Sequence, residues 1–483
     1  MSLVKILRWI GIGLGILIGL PSLFLIEENM RGRFLLHRYL NELRARSEKL
    51  TVAELAPPPP PTEGNGAPAF FAAARQLDGL KKQCPVAGDS GFAFGLHVPD
   101  GRAIVKYRLE QLYTSKRTNT WRDLTNELAL AAAPLDDLKR ALQQPVLSQP
   151  IDYSRGFAAA PFTNFSIIRG SVRWLSWSTI NDLHNGNLDA ATDDITTIVS
   201  TTRLLKDDRL LISELVRMTI ARIGLENTWQ ALQADGWNDA QLARLQQTWQ
   251  TVGFSDALLC ALEMERNMIA LEFEKVRREN FSLDALVEMS GDQIMRQVMF
   301  AEFPSFCRLL AWRLAWTHLD EFHAFRKTQS ALDKICIAAS HQQQVSETNE
   351  QPDDYRLLFS RFVGDISFRV FQNVCRTETH REMMLAAIAI KRYQLRHGKL
   401  PSSLHALAPE FMPSLPHDWM DGKPLRYRVN TDGTFTLYSV GDDGVDNGGE
   451  PSGEQNMWRS RDAVWLQPAT AEEVADALRK KGR

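Results

Sequence analysis

An almost unbroken apolar run from Trp9 to Ile26, interrupted only by glycines, Pro21 and Ser22, does most to limit what this chain can fold into. At about 18 residues it sits near the lower limit for crossing a bilayer as a helix. Two rival readings are a cleaved signal peptide and a buried helix. The run is long for a signal, and no small-residue cleavage site follows it before Glu27. We therefore expect an uncleaved single anchor that meets the lipid bilayer through residues 9–26. Gly11, Gly15 and Gly19 recur four apart and share one helix face. Small residues at that spacing let two membrane helices approach closely, so self-association through this face is expected, although glycine is also common in membrane helices. Lys5 and Arg8 precede the run, while Arg31, Arg33 and Arg38 follow it after Glu27 and Glu28. The charge rule is thus nearly balanced. A short inner N-terminus with the bulk of the chain outside the cytoplasm is the expected orientation.

Length and composition allow a large folded body. The 483 residues suffice for two or three domains, and 44% hydrophobic against 24% charged residues is an ordinary globular balance. Fifty-six basic and 58 acidic residues leave a net charge of −2, and no basic block with interleaved aromatics stands out, so nothing supports nucleic-acid binding. Cys84, Cys260, Cys307, Cys336 and Cys375 are scattered, odd in number and never paired as C-x-x-C. They form neither a disulfide framework nor a zinc motif.

Residues 33–55 read as a charged helix, with Leu35, Leu36, Tyr39, Leu40 and Leu43 at three-to-four spacing. Pro57 to Pro61 end it, and five prolines in a row favour extended polyproline II. Continuing through Thr62 to Pro68 as a linker, this segment is expected to hold a body off the membrane. From Ala69 to about Cys375 the periodicity is mostly helical. Leu211, Leu215, Met218, Leu225, Trp229 and Leu232 fall on one seam, with Arg222 as a lone polar intrusion. Leu242, Leu245, Trp249 and Val252 continue the theme after a break at Asp235–Gly236. Such stripes bury against neighbouring helices, as in a bundle. Residues 182–205 and 212–234 read as successive antiparallel helices. Residues 81–102 read as irregular and residues 341–354 as an exposed loop. No repeat with a shared signature emerges.

The period changes near the C-terminus. Leu425 to Val429 alternates, Asn430-Thr431-Asp432-Gly433 supplies turn chemistry, and Thr434 to Val440 alternates again, which predicts a β-hairpin. Ala463 to Leu466 can add a strand, and Thr470 with Glu473 has the spacing of a capping box opening a helix to Lys480. The expected fold is mainly α: an N-terminal transmembrane helix (1–28), a juxtamembrane helix and proline-rich linker (29–68), a large bundle-like helical body (69–375), and a small C-terminal α+β domain with an antiparallel hairpin (376–483).

Familiar catalytic arrangements are missing. His318 and His323 stand five apart, roughly 140° around a helix, a poor grip on a metal. Their aromatic neighbours suggest a packed helix with a polar edge. Glu378, His380 and Glu382 read as a solvated helix start, and Arg277–Arg278 as a solvated face. H-E-x-x-H, G-x-S-x-G and Walker patterns do not occur. No catalytic residue is nominated.

The segment Tyr438 to Gly449 gathers three Asp, one Asn, one Ser and four Gly directly after a strand. Glycines release the backbone into turns and carboxylates offer hard oxygens, which suits either an elaborate turn or a calcium loop. The residues around it come in a telling order. A helix from about Glu378 to Arg396 leads into His397-Gly398-Lys399-Leu400-Pro401. Then follow Pro416-His417-Asp418, Gly422-Lys423-Pro424-Leu425, Tyr427 and the strand into the Asp/Gly loop. This order resembles the globular head of the G-type major pseudopilins of type II secretion. The resemblance covers about a fifth of the chain. It implies a structural calcium ion on Ser439, Asp442, Asp443, Asp446 and Asn447, and a place in the bacterial inner membrane facing the periplasm. Glu27 and Glu28 follow the apolar run instead of opening it, and the head lies far along the chain from that run. Both features set the chain apart from a pilin subunit. The expected function is interaction or scaffolding in the envelope, linked through the resemblance to secretion-like machinery, with protein partners unspecified. The alternative is an envelope enzyme with its active site in the helical body.

Overall fold

The computed structural model describes residues 3–88, 97–98, 101–114, 118–278, 310–344, 354, 356–360, 365–451, 456–458 and 461–480. They are mostly helical, with a small antiparallel sheet near the C-terminus, as the periodicity implies.

The first helix, α1 (Leu3–Ala45), runs through Pro21 without ending. It therefore crosses the expected boundary at residues 28/29, and anchor and juxtamembrane segments are one helix. Its two halves differ. Trp9, Ile12, Ile16, Leu17, Ile18, Leu20, Leu23, Phe24 and Ile26 are exposed large hydrophobic residues. Gly15 and Gly19 have open space where a side chain would be, while the side chain position of Gly11 lies outside the described residues. Among the described residues no helix is both long and apolar enough to cross a membrane. From Glu28 onward α1 is docked. Asn29 Nδ2 donates to the carbonyl of Leu314 (2.7 Å) and Trp316 Nε1 donates to Glu28 (3.0 Å). At Gly32 an added Cβ would stand 2.9 Å from the backbone nitrogen of Leu319. Leu36 and Leu43 are buried.

The clamp continues beyond α1. The fully buried Arg266 donates to Glu48 (2.9 Å) and to the carbonyl of Lys49 (2.6 Å). A one-turn helix, α2 (Val52–Leu55), opens on a Thr51/Glu54 capping box and buries Leu55. The proline run thus leaves from the surface of the body. It does not hold the body away from α1, because the contacts made by residues 28–55 already join the two.

The body follows as α3 (Ala67–Leu80), α4 (Trp121–Leu142), α5 (Phe162–His184), α6 (Leu188–Thr201), α7 (Leu211–Leu232), α8 (Asp239–Gln250), α9 (Ser255–Arg278), α10 (Thr317–Ser340) and α11 (Asp365–His397). The helix expected over 182–205 is broken. Gly186 takes φ 75° between α5 and α6, which then pack against each other. The break at Asp235–Gly236 is present, with Gly236 at φ 86°, and α8 starts on Asn238, whose side chain accepts from the Gln241 N–H (2.9 Å). The expected seam is buried, apart from a half-buried Leu215, but α7 goes further. Helices on several sides also bury Glu214, Arg217, Asn227 and Gln230, each of which finds a partner: Arg217 meets Glu214 at 2.5 Å, Asn227 donates to Ser176 (2.9 Å), and Gln230 donates to the Ile104 carbonyl (3.0 Å). Within the irregular segment 81–102, residues 89–96 and 99–100 lie outside the described residues, as do 345–353 at the expected exposed loop.

Short strands decorate the helices: β1 (His97–Val98), β2 (Arg102–Ala103), β3 (Leu112–Tyr113), β4 (Thr118–Asn119), β5 (His417–Asp418), β6 (Lys423–Pro424), β7 (Arg426–Val429), β8 (Phe435–Ser439), β9 (Ala463–Val464) and β10 (Gln467–Pro468). The expected hairpin is β7–β8, paired Arg426 to Tyr438 through Val429 to Phe435, with Gly433 at φ 82° in the turn. The predicted extra strand is β9, on the other edge of β8. The last helix, α12 (Ala471–Lys480), carries the expected capping box: the Thr470 N–H donates to Glu473 (2.7 Å) and the Glu473 N–H donates to Thr470 (3.3 Å).

The expected C-terminal domain is not separately cored. Its start at residue 376 falls inside α11, and Phe411, Trp419, Leu437 and Trp465 belong to one hydrophobic core with Leu225, Trp249, Met383 and Ile388. Strand β10 pairs in parallel with β2, and Trp229 Nε1 donates to the Leu466 carbonyl (2.9 Å). The C-terminal region closes over the bundle.

Candidate functional site

The Asp/Gly loop follows β8 and is held by arginines and backbone N–H groups. Ser439 is buried and donates to Asp418 (2.8 Å). Asp418, also fully buried, accepts from the N–H groups of Met420 and Val440 (3.0 Å each) and from Arg426 (2.8 Å). Burial pushes the Asp418 carboxyl above its ordinary range, and the hydrogen bonds it accepts work against that. Arg426 reaches Asp421 at 2.5 Å and Asp446 at 3.6 Å. Asp446 accepts from the Gly448 N–H (3.0 Å) and the Tyr438 hydroxyl (3.1 Å), which hold its carboxyl below the usual value.

Asp442 turns away toward α11, where both ends of its carboxylate meet Arg376 (2.8 and 2.6 Å). Asp443 accepts a local turn bond from the Val445 N–H (3.0 Å). Asn447 donates to the Val445 carbonyl (2.9 Å), and its N–H goes to Asp462 (3.2 Å). Asp462 also accepts from the Gly449 N–H (2.6 Å) and is fully buried. The five nominated residues thus face several partners and do not share one coordination shell. Arg426 occupies the point where the charges of Asp418, Asp421 and Asp446 meet. Among the described residues no group of three or more His, Cys, Asp or Glu could hold a metal ion. As arranged, the donor set does not fit a calcium ion.

Asp320 and Glu378, one from each small charged cluster, are tied into the packing. Asp320 is fully buried and accepts from Trp312 Nε1 (2.8 Å) and from the N–H groups of Leu358, Phe359 and Ser360 (2.9, 2.8 and 2.9 Å). It pins the segment 357–360 to α10. Burial pushes the neighbouring His318 down to about 4, so it is neutral near pH 7. Arg277, expected on a solvated face, bridges to Glu321 at 2.5 Å. Glu378, expected at a solvated helix start, is buried mid-helix. It accepts from the Phe254 N–H (2.7 Å) and from Arg381 (2.8 Å), because α11 begins well upstream and lies against α7 and α8.

A cleft of about 630 Å³ opens between α7, α11 and the chain around Trp458 and Trp465. Helix α7 lines it with Leu215, Met218, Thr219, Arg222, Leu225 and Glu226. Helix α11 adds Asn373, Arg376, Thr377 and His380, which recur at three-to-four spacing and so share one face. Lys106 pairs with Glu226, and Arg376 pairs with Asp442. The His380 ring lies edge-on to Trp458, 6.3 Å between centroids. Arg222, the single polar intrusion in the α7 seam, is the sequence signal that could have found this site. Nothing in the sequence announced that α11, far along the chain, would face it.

No family model matches the chain, and neither a curated protein nor a solved structure compared with it matches.

Proposed function

We propose that this protein is a single-pass bacterial inner-membrane protein of the interaction or scaffold type, with its helical body on the periplasmic side. One observation carries the reading: the exposed apolar side chains of α1 between Trp9 and Ile26, ending where Glu28 begins the docked half. Large contiguous apolar exposure is costly in water and marks a surface meant for lipid or for another protein. Gly15 and Gly19, open to space, would let a second copy's helix approach. The order of α11, the β7–β8 hairpin and the Asp/Gly loop supports kinship with a pseudopilin head and, through it, work beside secretion machinery. Arg376 and Arg426 supply the positive charge that a calcium ion would otherwise bring to that loop. A second reading, an envelope enzyme, rests on the cleft, where His380 stands at a cavity of small-molecule size.

The anchor is tested with the full chain and lipid vesicles in high salt, which screens surface charge. The wild-type chain should float with the vesicles, and the double variant Leu17→Lys, Leu20→Lys should not. A wild-type chain that stays in the soluble fraction would overturn the reading.

A further inference from the structure

We propose that the helical turn carrying Leu310 and Leu314 is a second membrane contact, which seats the body on the lipid interface beside α1. The inference rests on the reading of residues 9–26 as the anchor and adds what the body does next to it.

Register carries the argument. The chain is helical from Leu310 into α10, and this stretch runs parallel to α1. Trp316 Nε1 donates to Glu28 (3.0 Å), and Asn29 donates to the Leu314 carbonyl (2.7 Å). Gly32 stands against His318 and Leu319, and the rings of Tyr39 and Phe322 meet at 5.6 Å. Farther along, Leu43 and Phe325 share one apolar cluster. The two helices thus climb together. Stepping back from these contacts sets Leu310 beside about residues 22–25 of α1. Leu25 and Ala311 accordingly pack on the same small core. That level lies inside the apolar run. If the run crosses a bilayer, its neighbour at this level stands at the bilayer's edge.

The side chains suit that place. Leu310 and Leu314, one helical turn apart, are 46% and 53% exposed, whereas Trp312, Ala315 and Trp316 are buried. On α1, the exposed Met30 and Phe34 carry the stripe of Ile16, Leu20 and Leu23 past Glu27. Length points the same way. Eighteen helical residues rise about 27 Å, slightly less than a hydrocarbon core of roughly 30 Å. A short span is accommodated by local thinning and by flanking side chains at the interface, which brings the turns beside it against lipid.

Charges at this level are compatible with headgroups. Glu28 is buried, and its carboxylate meets Arg356 (3.0 Å) as well as Trp316, so it presents no bare charge to lipid. Arg31 and Arg38 keep exposed side chains, although each also meets a carboxylate of its own helix, Glu28 at 3.6 Å and Glu42 at 3.2 Å. Such long stems lie along apolar surface while the charged end stays in the wet zone. Continuity with the apolar run, at its own level, makes lipid the occupant of this patch in preference to a second copy of the chain.

Depth-resolved quenching tests the contact. Dansylalanine, an environment-sensitive amino acid, is encoded at Leu314 in the full chain. Separate chains carry it at Leu310, at Leu17 in the apolar run, and at Ile337, an exposed residue near the far end of α10. Each chain is reconstituted into phosphatidylcholine vesicles with nitroxides placed shallow or deep in the acyl chains. The probe at Leu17 should be quenched most by the deep nitroxide, those at Leu310 and Leu314 most by the shallow one, and that at Ile337 by neither. Quenching at Leu17 with none at Leu310 or Leu314 overturns the second contact and leaves the anchor standing. An unquenched Leu17 probe removes the anchor, and this inference with it. A blue-shifted but unquenched Leu314 probe, whose shift fades as the protein is diluted into more lipid, marks contact with a second copy and also overturns the proposal.

Discussion

Arg426 shows how one side chain can settle what a loop is for. Its guanidinium meets Asp418, which is wholly buried, together with Asp421 and Asp446. Removing one partner of a buried ion pair strands the other, which commonly costs about 3–5 kcal/mol. Arg426→Ala should therefore destabilise the chain by about 3 kcal/mol in chemical denaturation, whereas Asp443→Ala, which loses one exposed turn bond, should cost well under half of that. If arginines serve in place of an ion, excess calcium and a chelator should give the same melting temperature. A calcium-dependent rise abolished by Asp442→Ala and Asp446→Ala would show that the loop rearranges around the ion. The loop was legible in the sequence as a polar, glycine-rich turn. Its dependence on Arg376 was not, because that contact joins residues 66 positions apart.

At the scale of elements, α1 is the informative case. Periodicity identifies both halves as helical but says nothing of what the second half touches. Gly32 marks the closest approach, a Cβ there falling 2.9 Å from the backbone of α10. Backbone cannot yield as a side chain tip can, so Gly32→Val should cost about 1–3 kcal/mol. It should loosen the seat of α1, seen as faster protease cleavage between residues 28 and 55. Gly19→Val, with no neighbour within 4 Å, should leave that rate unchanged in detergent. Helix starts were readable where a short polar side chain precedes its partner by three residues, as at Thr470 and Glu473. The break between α5 and α6 was missed because Gly186 sits within a run of good helical periodicity, and its left-handed φ is visible only in the structure.

For the whole molecule, burial of ionisable groups sets the pH response. Asp208 is buried, and burial pushes its carboxyl up to about 7 from an ordinary 3.8. A raised carboxyl binds its proton more tightly folded than unfolded. Its contribution is therefore present below pH 4 and is lost as pH rises toward 7. Three units at about 1.4 kcal/mol each set an upper bound of roughly 4 kcal/mol. His318 works the other way: its folded value near 4 lies below the unfolded 6.5, so its contribution is lost as pH falls between them. The wild-type melting temperature should fall between pH 5 and pH 8. Asp208→Asn should flatten that decline, because Ser213 and Gln149 both donate to one oxygen that an amide can present. An unchanged slope in the variant would remove Asp208 as its source.

Local chemistry was enough to determine the helical class, the hairpin with its glycine turn, the capped last helix and the apolar run of α1. Each depends on residues within a few positions of one another, whose spacing sets which face is apolar and which backbone angles are open. Only the tertiary structure decided that the C-terminal region shares the core of the bundle and that the proline run is no spacer. It alone decided that the loop carboxylates answer to arginines, and that Arg222 faces Asn373, Thr377 and His380 across one cleft. Those outcomes turn on which faces meet between stretches well separated along the chain, and spacing along a sequence holds no record of that.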